Sequence, residues 1–154
     1  MPRQLWAPWR LEYIEHADES DRCILCEPED ELVVQRGSDA FVLLNRVPYT
    51  AGHLLVAPCR HLGSLGELSD AEALEIHRLA TRSIDALAAE YRPQGYNLGW
   101  NLGRVAGAGI VDHIHLHIVP RWGGDTNFMP VLADVRVIPE ALALTAERLR
   151  QSWA

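Results

Sequence analysis

The segment 112–121, Asp-His-Ile-His-Leu-His-Ile-Val-Pro-Arg, alternates histidine with aliphatic residues at a period of two. In an extended strand this period sends His113, His115 and His117 to one face and the aliphatic side chains to the other. The aliphatic face suits a hydrophobic core, but no core requires a row of three imidazoles. Because imidazole is readily tuned as a base, a nucleophile or a metal ligand near neutral pH, we expect the histidine face to carry chemistry.

Three interpretations of this row are open. The histidines could decorate a half-exposed strand by chance, which their strict alternation with apolar residues disfavours. They could chelate one metal ion, since same-face neighbours on a strand lie about 7 Å apart. They could also perform phosphoryl or nucleotidyl transfer, with one imidazole attacking phosphorus and another binding the phosphate oxygens.

The composition is that of an ordinary globular domain. The chain has 154 residues, of which 48% are hydrophobic and 23% charged, and this predicts one domain with a substantial core. The net charge of −7 argues against a nucleic-acid-binding protein, which would normally be basic. No apolar run approaches the ~18 residues of a membrane span, and three cysteines make no disulfide framework. We therefore expect a cytoplasmic protein without a membrane or nucleic-acid partner.

Hydrophobic periodicity predicts an α+β domain with a largely antiparallel sheet. A capping box at Ser69 begins a long amphipathic helix that ends at about Arg92, and Pro139 opens a C-terminal helix. Residues 1–22 form an arm whose tryptophans are expected to pack on the domain or on a partner subunit, and residues 23–154 form the domain. Besides the histidine strand, strands are expected at residues 32–36, 41–44, 53–57 and 96–102.

The histidine row resembles the signature of the histidine-triad (HIT) family, in which three histidines are each followed by an apolar residue. The segment 45–58, which begins Asn-Arg and ends Gly-His-Leu-Leu-Val-Ala-Pro, is similar to the nucleoside-binding hairpin of that family. Residues 101–107, Asn-Leu-Gly-Arg-Val-Ala-Gly, look like its phosphate-side loop. The tail at 120–128 is similar to a bacterial branch that includes diadenosine tetraphosphate phosphorylases, and the whole resemblance covers roughly residues 23–125.

The resemblance implies a HIT-like fold that dimerises into one continuous sheet, so a homodimer or a higher homo-oligomer is expected. In the family the middle histidine is the nucleophile, which implies that His115 attacks the α-phosphorus and forms a nucleotidyl–histidine intermediate. His117 would bind the α-phosphate oxygens and stabilise the charge that develops there. The other implied site residues are His53 and His113, which support the triad, Asn45 at the ribose, Asn101 on the phosphate side, and the backbone of Gly107.

Cys23 and Cys26 form a Cys-x-x-Cys pair, which in a cytosolic chain can be redox-active, metal-binding or incidental. The pair is followed by Glu-Pro-Glu-Asp rather than by a helix, which disfavours a redox motif. The HIT resemblance implies a structural zinc site made by Cys23, Cys26, His61 and His113, a ligand set that suits tetrahedral Zn²⁺. The alternative is a reduced thiol pair without metal. Cys59 is expected to be a small buried residue without chemistry.

The leading hypothesis is an enzyme that cleaves dinucleoside polyphosphates, such as diadenosine tetraphosphate, at the α-phosphate. The acceptor stays open between water and inorganic phosphate. Many HIT enzymes carry Gly-Gln-Ser/Thr before the triad, whereas this chain has Gly107-Ala-Gly-Ile, so phosphate contacts there must come from backbone groups. Arg104 and Arg121 are candidates for the distal phosphates, with a solvated surface arginine as the alternative for each. The alternative functions are a nucleoside phosphoramidate hydrolase, a nucleotide-binding regulator without turnover, and a structural zinc module.

Overall fold

The computed structural model describes residues 22–126 and 138–154, and within them the chain forms five strands, two α-helices and two short 3-10 turns. This confirms the predicted α+β class, with a five-stranded antiparallel sheet, one long helix and a C-terminal helix. The elements are β1 (Val33–Arg36), β2 (Ala40–Leu44), β3 (Leu54–Pro58), a 3-10 turn (Leu65–Glu67), α1 (Asp70–Tyr91), β4 (Gly95–Trp100), a 3-10 turn (Arg104–Ala106), β5 (Leu116–Arg121) and α2 (Leu142–Gln151).

The sheet is antiparallel throughout and has the strand order β1-β2-β3-β5-β4. β5 therefore lies between β3 and β4, with His117 opposite Leu55 on one side and opposite Gly99 on the other. A Cβ built on Gly99 would meet no atom within 4 Å. The space beside His117 on its β4 side is consequently open.

Helices α1 and α2 cover one face of the sheet. Alternate strand residues point to this face, including Val42 of β2, Val56 of β3 and Ile118 of β5, and all three are fully buried. Ser69 caps α1 by accepting a hydrogen bond from the N–H of Glu72, whose side chain accepts one from the N–H of Ser69. The predicted capping box is thus confirmed, and the aliphatic half of the histidine segment supplies core residues as expected.

The opposite face of the sheet carries a smaller apolar cluster. Leu43 of β2 and Leu55 of β3 point to this side, where they pack with Leu25 from the segment before β1. Both described helices pack on the other face of the sheet. The side chains of the smaller cluster therefore form the floor of a cleft.

The histidine segment differs from the sequence prediction at its start. β5 begins at Leu116, so His113 and His115 precede the strand. The expectation that one strand carries all three histidines is therefore wrong. The last residue pair of the β3–β5 ladder is Val56 with Leu116, two residues before β3 ends, and the N–H of Ile114 donates to the carbonyl oxygen of Leu62 and not to β3.

A tight turn places the fourth histidine beside the triad. Gly52 has φ of 75°, a left-handed conformation that glycine tolerates, and a Cβ there would lie 3.0 Å from the side chain of Leu87. The N–H of Asn45 donates to the carbonyl oxygen of His53 over 2.9 Å, which closes the connection between β2 and β3. His53 is fully buried and contacts His117.

Two sequence predictions fall outside the described residues. The arm predicted at residues 1–22 lies there except for Arg22, and so do residues 127 and 128 of the tail that resembles the phosphorylase branch. In the described ranges, no helix is both long and apolar enough to cross a membrane.

Candidate active site

His115 lines the cleft, and a backbone carbonyl fixes the orientation of its ring. Its Nδ1 lies 2.9 Å from the carbonyl oxygen of His113, and because a carbonyl can only accept, Nδ1 carries the proton. In the neutral ring, Nε2 therefore holds the lone pair. Burial lowers the pKa of His115 below its usual value and so favours the neutral form. The cleft thus contains a nucleophilic nitrogen at Nε2 of His115.

His117 receives the opposite tautomer through a chain of hydrogen bonds. The N–H of Tyr49 donates to Nδ1 of His53 over 3.0 Å, so the proton of a neutral His53 lies on Nε2. This Nε2–H donates to Nδ1 of His117 over 2.9 Å. A neutral His117 must then carry its own proton on Nε2. His115 therefore presents a lone pair, whereas His117 presents an N–H donor.

Asn101 places a second donor next to that of His117. Its Nδ2 lies 3.5 Å from Nε2 of His117 and 3.4 Å from the carbonyl oxygen of Gly107. Gly107 has φ of 91°, and its N–H donates to the carbonyl oxygen of Arg104 over 2.9 Å. The Gly107 amide, which the sequence suggested for phosphate, is thus already paired inside its loop. The N–H groups of Asn101 and His117 converge, an arrangement that suits an oxyanion.

The cleft beside these groups has an apolar floor and a polar rim. Glu29 and Arg46 form an ion pair of 2.7 Å at its edge. Asn45 also lines it, where its Oδ1 accepts a hydrogen bond from the N–H of Val47 over 3.0 Å and its Nδ2 faces the ring of His53. A planar apolar ring can be buried on such a floor while polar groups reach the rim. The floor includes Leu25, Leu43, Leu55 and Ile110.

A second group of functional side chains surrounds His113. Its Nδ1 lies 3.3 Å from Sγ of Cys23 and 3.5 Å from Sγ of Cys26, and Sγ of Cys26 lies 3.2 Å from Nδ1 of His61. All four of these ligand atoms lie within 4.8 Å of one another. Sulfur and nitrogen ligands at their usual distances from a tetrahedral zinc ion are about 3.5 Å apart. The structure therefore brings together the four residues predicted as metal ligands, at a spacing that fits zinc.

The tautomer of His113 also suits a metal ligand. Its Nε2 lies 2.8 Å from the carbonyl oxygen of Pro58, which can only accept, so Nε2 carries the proton and Nδ1 the lone pair. Burial lowers the pKa of His113 and keeps the ring neutral. Burial and the neighbouring Cys23 raise the pKa of the Cys26 thiol to about 11. A histidine that donates its other N–H to a backbone carbonyl is a common feature of metal sites.

Cys59 differs from its sequence prediction, because it is exposed rather than buried. It directly follows Pro58, the last residue of β3, and its N–H donates to the carbonyl oxygen of Asp39 over 2.8 Å. The average burial of cysteine could not indicate this position at the end of a strand.

The sequence leads us to expect that a backbone carbonyl fixes the nucleophilic imidazole, but it does not identify the groups that fix the tautomers. They belong to the backbone: the N–H of Tyr49 and the carbonyl oxygens of Pro58 and His113. Tyr49 has a second role, since its ring is parallel to that of His117, with an interplanar angle of 4° and centroids 5.9 Å apart. In the sequence, the aromatic side chain of Tyr49, four positions before His53, was the available sign of this second role. The backbone groups leave no sign in the sequence.

The family model of the HIT domain matches residues 27–124 of this chain. The chain belongs to the HIT family. The matched range contains most of the cleft lining, the four histidines around it and Asn101, so the resemblance seen in the sequence is confirmed. Cys23 and Cys26 lie just before the matched range, so the Cys/His cluster of Cys23, Cys26, His61 and His113 extends beyond the HIT domain model.

Two relatives of this HIT protein carry names of enzymes. The AP-4-A phosphorylase of Mycobacterium tuberculosis is 36% identical over 165 aligned positions, which cover 99% of this chain and 85% of that protein. An adenosine 5′-monophosphoramidase of Schizosaccharomyces pombe is 35% identical over 103 positions, which cover 64% of this chain and 74% of that protein. The similarity to the mycobacterial enzyme covers nearly the whole chain and so includes the histidine row.

The solved structures agree with the HIT fold. A zinc-bound histidine triad family protein from Mycobacterium smegmatis matches with a TM-score of 0.67 and 26% identity, covering 84% of this chain and 88% of that one. A HIT family protein from Bacillus anthracis matches with a TM-score of 0.62 and 33% identity over 69% of this chain and 77% of that one. The predicted HIT-like fold is therefore confirmed.

Proposed function

We propose that this HIT protein cleaves dinucleoside polyphosphates, such as diadenosine tetraphosphate, at the α-phosphate through a nucleotidyl–histidine intermediate. The observation that carries the proposal is a pair of opposite tautomers: Nε2 of His115 holds a lone pair, and Nε2 of His117, fixed by His53, holds a proton. A metal-binding or purely structural row of histidines has no need of this difference. The similarity to the mycobacterial AP-4-A phosphorylase over nearly the whole chain supports the substrate class.

The proposed chemistry uses two displacements at the same phosphorus. In the first, Nε2 of His115 forms a bond to the α-phosphorus, and the bond from phosphorus to the bridging oxygen breaks. The leaving nucleotide takes the electron pair of that bond. The ring becomes cationic, and its Nδ1–H continues to donate to the carbonyl oxygen of His113, which stabilises the positive charge.

In the second displacement an oxygen of the acceptor attacks the phosphorus, and the nitrogen–phosphorus bond breaks. The electron pair returns to Nε2 of His115, which becomes neutral again. Inorganic phosphate as acceptor yields a nucleoside diphosphate, whereas water yields a nucleoside monophosphate and releases a proton. The name of the mycobacterial relative favours phosphate as the acceptor.

The donors beside the nucleophile are assigned to the developing negative charge. The N–H groups of His117 and Asn101 would bind the non-bridging oxygens of the α-phosphate, where charge accumulates during both displacements. His53 and His113 act as positioning residues, because one fixes the tautomer of His117 and the other supplies the carbonyl that orients His115. Together these residues form the proposed catalytic group.

The nucleoside attached to that phosphate is assigned to the apolar cleft. Its base would pack on the floor around Leu25 and Leu55, and Asn45 would contact the ribose by exchanging its hydrogen bond with Val47. Gly107 borders the same cleft. Because the N–H of Gly107 is used within the loop, its proposed part in substrate binding is the room that a residue without a side chain leaves for phosphate.

A structural zinc ion is the second part of the proposal. Cys23, Cys26, His61 and His113 would hold it, and it would cross-link the segment before β1, the segment after β3 and the histidine row. The spacing of the four ligand atoms and the tautomer of His113 support this assignment. The zinc-bound relative from Mycobacterium smegmatis supports the choice of metal.

The assembly and location are proposed as well. β4 lies at an edge of the described sheet, so pairing with a second copy would continue the sheet and cover that edge. We propose a homodimer or a higher homo-oligomer, in which the arm at residues 1–22 packs on the domain at 23–154 or on the partner. The three cysteines are free thiols, which is the usual state in the cytoplasm, the proposed location.

A second candidate reaction is the hydrolysis of nucleoside phosphoramidates. The similarity to the phosphoramidase of Schizosaccharomyces pombe favours it, and the same lone pair of His115 would attack the same phosphorus. Only the leaving group differs. A binding protein without turnover is the third possibility, and it would not require the paired tautomers.

Product analysis of diadenosine tetraphosphate separates these functions. The protein is incubated with the dinucleotide with and without inorganic phosphate, beside a His115→Ala variant, and the products are resolved by ion-exchange chromatography. ATP plus ADP formed only with phosphate means a phosphorylase, and ATP plus AMP formed regardless of phosphate means a hydrolase. We expect His115→Ala to lose at least about 10⁴-fold in rate, because the nucleophile is gone. Turnover that survives His115→Ala would contradict the mechanism.

A further inference from the structure

A second cleft adjoins the first across the rings of Tyr49 and His117, which line both. His115 lines the first cleft, whereas Asn101 lines the second. A phosphate held between the lone pair of His115 and the donors on His117 and Asn101 would therefore lie at the boundary of the two. A group attached to that phosphate on the side away from the nucleoside would enter the second cleft.

Arg121, the last residue of β5, lines this second cleft in a fixed orientation. Its Nε lies 2.6 Å from Oδ2 of Asp125 and its Nη2 lies 3.1 Å from Oδ1 of the same carboxylate, while its Nη1 lies 2.9 Å from Oδ1 of Asn97. The N–H of Trp122 also donates to Asp125. The hydrogen bond from Arg121 lowers the pKa of Asp125, which stays ionised. The guanidinium plane is thus held from two sides.

The two charges of this pair are unequally exposed. Both residues line the cleft, but the side chain of Asp125 is 10% exposed and that of Arg121 is 44% exposed, so a ligand from solvent can reach Arg121 more readily than Asp125. A guanidinium has five N–H groups, and the three hydrogen bonds to Asp125 and Asn97 leave about two of them for a ligand. A rigid pair of N–H donors on a positive group matches the oxygens of a phosphate.

We propose that the second cleft is a phosphate subsite in which Arg121 binds the phosphate groups beyond the scissile bond. The inference rests on the proposed function, because it places those groups relative to His115. The same oxyanion chemistry has two sources: the distal phosphates of the dinucleotide in the first displacement, and inorganic phosphate in the second. Asp125 and Asn97 act as positioning residues that hold the guanidinium.

Adenosine 5′-phosphoramidate is the discriminating substrate, because its leaving group is ammonia and carries no phosphate into the second cleft. Arg121→Ala should lower kcat/KM for diadenosine tetraphosphate about 10- to 100-fold, the effect of losing charge-assisted hydrogen bonds. The kcat/KM for the phosphoramidate should change less than about twofold. Arg121→Lys keeps the charge without the planar pair of donors and should recover part of the loss.

Arg36→Ala provides a matched control. Arg36 also forms an exposed ion pair with an aspartate, Asp30, at 2.7 Å, and it lines neither cleft. This variant should leave both substrates unaffected. Thermal melting of each variant shows that the fold is retained.

Three results would overturn the subsite: an equal loss for both substrates, no loss for the dinucleotide, or an equal loss in the control. The KM for inorganic phosphate separates the two sources. If Arg121→Ala raises this KM, the acceptor uses the subsite, and if the KM is unchanged beside a loss for the dinucleotide, only the leaving group does.

If the wild-type protein turns over neither substrate, the proposed function fails instead. Calorimetric titration with inorganic tripolyphosphate then decides the subsite, since binding at least about tenfold weaker in Arg121→Ala supports it and equal binding overturns it.

Discussion

Two neighbouring sites of this chain take histidines from the same short segment, and the histidine rings at the two sites have opposite tautomers. In the Cys/His cluster, His113 donates from Nε2 to the carbonyl oxygen of Pro58, and its Nδ1 lone pair faces the thiols. In the cleft, His115 donates from Nδ1 to the carbonyl oxygen of His113, and its Nε2 holds the lone pair. The same side chain thus presents its lone pair to the thiols or to the cleft according to which nitrogen a backbone carbonyl engages.

The comparison also shows how the two regions are joined. His113 belongs to both, because its side chain faces the thiols while its carbonyl oxygen orients His115. The backbone at His113 is nevertheless held by more than the side chain of His113. The N–H of the next residue, Ile114, donates to the carbonyl oxygen of Leu62 over 2.9 Å. We therefore expect the cluster to govern stability and the cleft to govern turnover. Variants on either side test that division.

The largest effect is expected from Cys26→Ala, which removes one of the four cluster ligands. Zinc content measured by mass spectrometry should fall from about one ion per chain to below a tenth. If zinc is normally present at ~1,000 times its dissociation constant, its loss removes about 4 kcal/mol of stability, or ~10 °C in Tm. Turnover at 25 °C should fall less than about tenfold, because Pro58 still fixes the ring of His113.

Cys59→Ala is the control for that variant, since Cys59 is another free cysteine and lies outside the four-residue cluster. It should retain both zinc and Tm. An unchanged Tm after Cys26→Ala would show that the cluster does not stabilise the fold. A complete loss of turnover in a folded Cys26→Ala protein would show that the two regions are not separable.

A smaller effect, on turnover, is expected on the cleft side from His53→Leu, since leucine has no group that could donate to His117. Without the Nε2–H of His53, Nδ1 of His117 can carry the proton itself, so its Nε2 no longer presents a donor. The loss of one positioned donor typically costs about 10²-fold in rate. Zinc content and KM should be nearly unchanged. His77→Leu, on the exposed surface of α1, serves as the control.

The loss should appear as a lower kcat, because removing a donor that is needed only in the transition state lowers kcat and leaves KM unchanged. A rise in KM at constant kcat would indicate that His53 supports ground-state binding and not the tautomer of His117. Loss of zinc from His53→Leu would mean that the two regions are coupled more closely than the hydrogen bonds indicate.

Much of this arrangement could be predicted from residue patterns. The alternation in the histidine segment correctly separated core residues such as Ile118 from imidazoles, and the spacing after Ser69 correctly gave α1. The start of β5 could not be predicted, because it depends on pairing with a different strand, whose partner residue Val56 lies 60 positions before Leu116 in the chain. Pairing partners of a strand are not written in its own sequence.

The groups that set the tautomers could not be identified from the sequence either. The tautomers depend on the carbonyl oxygens of Pro58 and His113 and on the N–H of Tyr49, and every residue has such groups. The residue type supplies an imidazole, but the fold decides which nitrogen is protonated. For the same reason the sequence suggested Arg121 for phosphate without showing that Asp125 and Asn97 hold its guanidinium.

The smallest effect is expected on the cluster side, from an ion pair that supports the cluster segment without belonging to the cluster. Arg60 precedes the predicted ligand His61 and donates to Glu72 of α1 over 2.6 Å, so this pair ties the cluster segment to the helix. The hydrogen bond from Arg60 lowers the pKa of Glu72 from 4.5 to about 2. A carboxyl whose pKa is lower in the folded state stabilises the fold above its unfolded pKa, and this contribution is lost as the pH falls from 4.5 towards 2. Glu72→Gln keeps the capping hydrogen bond and removes only the charge.

Because Arg60 is 60% exposed and the pair is screened by solvent, Glu72→Gln should lower Tm at pH 7 by only about 2 °C. The difference from the wild type should shrink as the pH falls below 4.5 and vanish near pH 2. Glu147→Gln, which changes an exposed ion pair on α2, is the control and should show a smaller difference. Melting curves recorded between pH 2 and pH 7 check the prediction. A Tm difference for Glu72→Gln that does not depend on pH would mean that packing, and not the charge, gives Glu72 its effect. Lower turnover of Glu72→Gln at pH 7 would mean that the ion pair beside the cluster also positions the cleft.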